Sequence, residues 1–292
     1  MVPCPGPVLT VASLNLHAGV DERNVPFDVV GACAALDADV VVLQEVWWPA
    51  GGRSQAALAA DALGYRVHWA TFGTGRRFPE PEAGGERIGR WTGRPPAVVL
   101  DRRDGRGGPG DARGAGGSEG CGGGRGGPVG RRGGRDGARG AEPGRLGLAV
   151  LSRLPARPEP PIVLRALARD GAARSALAVV VGIGGAEVTV VGVHMAHLSQ
   201  GSVRQYADLR RRLPGPGRPA VVAGDMNLWG PAVVRLLPGW RRAVTGRSWP
   251  AHHPISQPDH ILFRGGVRPV EGRTLAGVGS DHRPVRAALA LA

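Results

Sequence analysis

The sequence predicts an α/β sandwich built from two packed sheets. Ten short β-rich runs outnumber four helix candidates, and the helices do not alternate with the strands as a regular βαβ winding would require. With 42% hydrophobic residues, the 292-residue chain can bury a sizeable core. Of its 49 glycines, 19 crowd into one 45-residue segment, residues 101–145, instead of being spread evenly through the chain.

The first strand is expected over residues 8–15, where VLTVASLN is rich in β-branched and apolar residues. A helix follows over 27–36, then a continuous apolar strand at 40–44. A second helix spans 55–63, with Ser54 as its N-cap and Gly64 as its stop. Strands are expected at 66–70, 97–100, 147–152, 175–181 and 187–194. Ser202 is placed as the cap of a helix over 203–213, followed by a strand at 220–224 and a short helix at 231–236 opened by Pro231. The last two strands fall at 259–263 and 284–290.

Between Asp101 and Arg145, 19 of 45 residues are glycine, 10 are arginine and 6 are acidic. Too little there can be buried to offset ordering entropy, so 101–145 is expected to be a disordered insertion in a single 1–292 domain. Weak nucleic-acid binding by its arginines is the functional alternative, set back by the absence of interleaved aromatics. The chain contains no lysine, and its formal charge is +13. The segment carries +4 of this, leaving +9 on the remainder, a field suited to an anionic partner.

Cys4, Cys33 and Cys121 form no C-x-x-C pair, which argues against a disulfide framework or a thiolate zinc site. The first residues lack a basic stretch before an apolar one, and no run approaches the roughly 20 apolar residues of a membrane span. These features predict a cytoplasmic protein without a membrane span, taken as a monomer.

Many of the strand candidates meet a polar residue at one end. Asn15, Glu45, His194, Asp225 with Asn227, Asp259, and Asp281 with His282 all stand at such positions. No nucleophile motif or phosphate-binding glycine loop accompanies them. Oxygen donors without thiolates favour a hard cation, Mg²⁺ or Mn²⁺. Imidazoles beside such a cation suit a phosphate, so the set points to attack of water on a phosphoester.

The blocks LNLH, LQEV, GLAVLSRLP, GVHMAHLS with VRQ, AGDMN, SWPAHHPISQPDHIL and GSDHRPV, in this order, resemble the endonuclease/exonuclease/phosphatase superfamily with its DNase I-like fold. The resemblance runs from Asn15 to Val285 and omits only the glycine-rich segment. It implies a four-layer α/β sandwich, two mainly antiparallel sheets flanked by helices, and metal-dependent phosphoester hydrolysis.

By this resemblance Glu45 is the principal metal ligand, with Asn15 beside metal and phosphate and Asp281 a direct or water-mediated partner. Asp225 positions or deprotonates the attacking water, and Asn227 contacts the phosphate and orients its neighbours. His282 binds the scissile phosphate, Asp259 holds that imidazole in its tautomer, and His194 matches the second catalytic histidine. The chain departs from the pattern at Pro258, at Leu148 where an asparagine is usual, and in lacking an evident acidic partner for His194.

A nuclease-type phosphodiesterase acting on DNA or RNA is the favoured reading. A phosphatase, or a phosphodiesterase of phospholipids or inositol phosphates, is the alternative. A catalytically inactive binding module is disfavoured because Glu45, Asp225, Asn227 and His282 are all present. His17, His68, His197, His252 and His253 read as loop or partly buried histidines. Arg174 reads as a surface charge, with phosphate contact as its alternative. Trp229 and Trp249 are placed on loops beside the site, as stacking or packing residues. The arginines of 203–213 read as a solvated helix face.

Overall fold

The computed structural model describes residues 6–78, 97–101 and 141–291. In chain order, β1 (Val8–Asn15), α1 (Val29–Ala34), β2 (Val40–Pro49), α2 (Gln55–Leu63), β3 (Arg66–Arg77), β4 (Val98–Leu100) and β5 (Glu142–Ser152) form the first half. The second half holds β6 (Ala156–Pro158), β7 (Ile162–Val163), β8 (Ser175–Ile183), β9 (Ala186–His194), α3 (Val203–Arg212), β10 (Ala220–Asp225), α4 (Ala232–Leu236), β11 (Arg241–Arg242), β12 (Asp259–Arg264), β13 (Val267–Thr274) and β14 (Val285–Leu291).

One seven-stranded sheet runs β13-β14-β1-β2-β5-β3-β4. The other runs β11-β12-β10-β9-β8-β6, with β7 on β8. Among the described residues, β1–β2 and β9–β10 are the pairs that run parallel. Strand alternation assigns each side chain to a layer. Val11, Val40 and Val42 of the first sheet meet Val190, Val221 and Ile261 of the second in the central core. The opposite faces take the helices: Leu14, Val41 and Leu43 pack with Ala32, Ala56 and Ala59, while Val193 and Val222 pack with Tyr206, Leu209 and Val233. The result is the predicted helix–sheet–sheet–helix sandwich.

Several boundaries differ from the sequence expectation. Helix α1 starts at Val29 because the Asp28 carboxylate accepts from the Gly31 N–H at 2.9 Å. Ser202 does not cap α3: its backbone is helical and its hydroxyl is buried without a hydrogen bond. Pro231 stands at the N-cap of α4, outside the helix. Strands β6, β7 and β11 were not foreseen because two or three residues carry no periodicity. Strand β13 was missed because, as an exposed edge, it lacks an apolar face. One end of the expected 101–145 insertion is also redrawn. Residues 142–145 belong to β5, where Glu142 pairs with Arg77 and Arg145 with Trp48 and Thr74. Residues 102–140 of that expectation, with Cys4 and Cys121, lie outside the described residues. Cys33 is a free, buried thiol pushed up to about 12 by burial and by nearby Asp28, which keeps it protonated.

Candidate active site

The alternation that fills the central core also builds the site. On β1 the inward positions are Leu9, Val11, Ser13 and Asn15, so the same face turns from apolar to polar at its end. Strand β10 repeats this with Val221, Ala223 and Asp225, and β12 with Phe263, Ile261 and Asp259. Register completes the second sheet's share. Asp225 lies opposite His194 on β9 and opposite Asp259 on β12, placing three functional residues on one rung.

Glu45 arrives differently. Regular alternation would send it outward, next to Leu43. Instead the β2–β5 ladder shifts register between Leu43 and Val46, and Glu45 adopts φ +50°. This strained bulge turns its carboxylate inward, where Oε1 accepts from Asn15 Nδ2 at 3.4 Å and lies 3.8 Å from His194 Nε2. Asn15 Nδ2 also donates to Asp225 Oδ2 at 3.2 Å, so one amide bridges two carboxylates from different sheets.

Asp225 lies 3.7 Å from His194 Nε2 and 3.9 Å from His282 Nε2. Its Oδ1 accepts from the Asn227 N–H at 2.9 Å. Asn227, at φ +47°, uses its side-chain amide to hold the Met195 carbonyl at 2.8 Å. Asp259 Oδ2 lies 2.8 Å from His282 Nδ1 and accepts from Ser248 Oγ at 2.6 Å.

The two imidazoles are chemically unlike. Both are buried, which alone lowers a histidine pKa. For His194 burial dominates and the Arg174 guanidinium adds to it, so the ring is neutral. Among the described residues its Nδ1 has no hydrogen-bond partner, in keeping with the missing acidic partner. For His282 burial is outweighed by the charges of Asp259 and Asp281, the Asp259 hydrogen bond and Asp225, which hold the pKa well above the ordinary value. These carboxylates favour the protonated, cationic form of the His282 ring.

Asp281 contacts His17 Nδ1 at 3.7 Å, Ser280 Oγ at 3.4 Å and Trp249 Nε1 at 3.3 Å, and bears on the site through the charge of His282. Thus Asn15, Glu45, His194, Asp225, Asn227, Asp259 and His282 converge, with Asp281 at their margin. Asp225, Asp259 and His282 offer donor atoms within 4.8 Å of one another and could hold a metal ion. The Asp259–His282 hydrogen bond and the favoured cationic form of the ring oppose a cation between those two. Glu45 and Asp225 could instead hold one: their carboxylates meet on the Asn15 Nδ2 amide, an anionic oxygen environment suited to a hard divalent ion, while Asn15 Oδ1 is engaged by the His17 N–H.

Arg174 corrects the sequence reading. Its half-buried side chain pairs with Asp170 at 2.6 Å and donates to the His194 carbonyl at 3.2 Å, so it supports the end of β9. Trp229 is exposed, while the Trp249 ring lies 6.4 Å from that of His282. Sequence reasoning missed Ser248 and Ser280 and set His17 aside. Ser280 donates to the Asn15 carbonyl at 2.6 Å, and the His17 N–H donates to Asn15 Oδ1 at 3.0 Å. The only signal was their place inside or beside the quoted blocks.

The model of the Endonuclease/Exonuclease/phosphatase family matches residues 12–282. The chain belongs to this family. No curated protein gives a significant match. The fold of this family member is similar to that of an endonuclease/exonuclease/phosphatase from Beutenbergia cavernae, at TM-score 0.59 and 20% identity, covering 98% of this chain and 72% of that one. A family protein from Leptotrichia buccalis gives TM-score 0.59 at 12% identity, covering 96% and 99%. D. rerio TDP2, solved with a single-strand DNA product, gives 0.57 at 14% identity, covering 97% and 98%. At such identities the likeness speaks for the fold alone.

Proposed function

We propose that the protein is a divalent-metal-dependent phosphodiesterase of nuclease type. The observation that carries this reading is the pairing of the Asn15–Glu45–Asp225 cluster with the His282 ring, held by Asp259, across a shared Asp225. In this reading the Glu45 and Asp225 carboxylates, bridged by the Asn15 amide, would hold Mg²⁺ or Mn²⁺. The cation supplies Lewis-acid polarisation of a phosphoryl oxygen.

The chain's own groups supply the rest. Asp225 orients the attacking water and accepts its proton, with Asn227 fixing the carboxylate through a backbone N–H. His282 donates to the phosphoryl oxygens as charge builds in the transition state. Asp259 and Ser248 keep the ring aligned and charged. His194, neutral with Nε2 toward Glu45 and Asp225, is suited to a hydrogen bond with the phosphate or leaving oxygen.

The +9 charge outside residues 101–145 favours a polyanion, and the DNA product bound to the D. rerio relative supports nucleic acid as the class. Hydrolysis of bis(p-nitrophenyl) phosphate, p-nitrophenyl phosphate, single-stranded DNA, plasmid DNA, RNA and an inositol phosphate, each with Mg²⁺ or EDTA, tests the reading. Diester cleavage abolished by EDTA is expected. No metal-dependent turnover would remove the enzymatic reading, and turnover of monoesters alone would replace the diesterase with a phosphatase.

A further inference from the structure

The segment after β1 has an unusual backbone. His17, Ala18 and Gly19 take φ of +46°, +55° and +78° in succession, and two of the three bear a Cβ. Positive φ in side-chain-bearing residues costs about 1–3 kcal/mol each and persists only where surrounding contacts impose it. Together with Glu45, three strained non-glycine residues lie within three positions of Asn15 or on the bulge of β2. Something must hold them.

The holding contacts form a closed ring of hydrogen bonds. The Ala18 carbonyl accepts from Gln55 Nε2 at 2.8 Å and from Arg77 Nη1 at 2.8 Å. Gln55 Oε1 accepts from the Trp47 N–H at 2.9 Å. Trp47 Nε1 donates to Glu142 Oε2 at 3.2 Å, and Arg77 Nε donates to the same oxygen at 2.8 Å, which returns the ring to Arg77. Inside it, Ala18, Trp47 and Leu146 form a small apolar cluster. A Cβ on Gly19 would overlap the Gln55 amide, so the loop and the glutamine fit closely.

The ring's two backbone anchors are telling. Ala18 lies three residues beyond Asn15, and Trp47 lies two beyond Glu45. Between the Ala18 anchor and the site, the His17 N–H fixes Asn15 Oδ1. One glutamine side chain, using both ends of its amide, therefore spans the two chain segments that deliver Asn15 and Glu45. The hydrogen bonds of Gln55 and Arg77 run to Trp47, Ala18 and Glu142, so each acts on the site through these segments.

We infer that Gln55 and Arg77 are positioning residues that hold the strained Asn15 and Glu45 segments at cation-binding separation. The inference rests on the reading above that Glu45 and Asp225, bridged by Asn15, hold the cation. Loss of an outer contact that orients metal ligands costs about 10–100-fold in metal affinity or activity. A merely structural role would lower the folded fraction and leave the affinity of each folded molecule unchanged.

The test is Mn²⁺ binding, read by electron paramagnetic resonance of the free ion, together with kcat and KM for bis(p-nitrophenyl) phosphate. It compares the full-length wild type with Gln55→Ala, Gln55→Glu, Arg77→Lys, Glu45→Ala and the surface control Arg53→Ala, all corrected for folded protein. Gln55→Ala is expected to weaken Mn²⁺ binding and lower kcat by about 10–100-fold, with KM changed by less than about threefold. Gln55→Glu keeps the acceptor for Trp47 and loses the donor to Ala18, so it should fall between wild type and Gln55→Ala. Arg53→Ala should match wild type. Should Gln55→Ala fail to fold, Arg77→Lys carries the same expectation, since it keeps the charge against Glu142 and loses the reach to Ala18. Unchanged Mn²⁺ affinity in the folded ring variants, while Glu45→Ala loses binding, overturns the inference alone. Wild-type Mn²⁺ affinity in Glu45→Ala overturns the cation-site reading and the inference with it.

Discussion

The two sheets deliver their site residues by opposite means. On the second sheet His194, Asp225 and Asp259 stand at ordinary strand ends, aligned by register alone. On the first sheet Glu45 faces the site only because a bulge and a positive φ turn it there, and side-chain hydrogen bonds clamp the neighbouring loop. The difference is one of where rigidity comes from. The register-built rim inherits the stability of the core, since the same strands fill the central layer. The bulge-built rim stores strain that dedicated contacts must restrain.

The largest effect expected from this contrast is chemical. Asp225 is the point where the rims meet, through Asn15 and the two imidazoles. Asp225→Ala should lower kcat by about a hundredfold or more with little change in thermal unfolding. A near-normal rate would separate the rims functionally and remove Asp225 from the mechanism.

A backbone change on the register-built rim should damage stability and activity together. Gly224 has φ +148°, and a Cβ there would collide with the Val193 carbonyl of β9, next to His194. Gly224→Ala should destabilise by about 2–4 kcal/mol, combining backbone strain with overpacking, and lower kcat as well. Urea unfolding checks the first and turnover the second. A stable but inactive variant would show that this rim can be deformed independently.

The smallest effect is a pH dependence confined to the second sheet. His260 on β12 is buried, Nε2 lies 2.7 Å from the Leu228 carbonyl, and burial pushes its pKa down to about 4. The folded state then resists protonation that the unfolded chain accepts near its ordinary value of about 6.5, so stability is full above that pH and falls as pH drops toward 4. The contribution lost by pH 4.5 is about 2–3 kcal/mol. Urea midpoints at pH 7 and 4.5 should therefore converge in His260→Gln relative to wild type, and equal pH slopes in both proteins would contradict it.

Much of this was legible in the sequence. Val11-Ser13-Asn15 and Val221-Ala223-Asp225 are period-2 patterns that place a polar residue at the end of an inward face, and the fold class follows from such runs. Ser54 and Gly64 bounded α2 as expected. Arg174 was misread because an arginine at a strand start looks solvated until its partner Asp170 and the His194 carbonyl are seen beside it. His17 and Ser280 were passed over because their contacts to Asn15 are formed by backbone atoms and by residues 265 positions apart.

Local patterning thus determined which strands exist, which face of each is buried and which polar residues stand at their ends, because alternation and capping are properties of neighbouring residues. Tertiary structure alone decided that Glu45 turns inward, that Asn15 and Asp225 meet across 210 residues, and that two histidines of the same chain favour different charge states. Register, bulge geometry and burial arise from segments distant in the chain, and a side chain's chemistry follows from what those segments place around it.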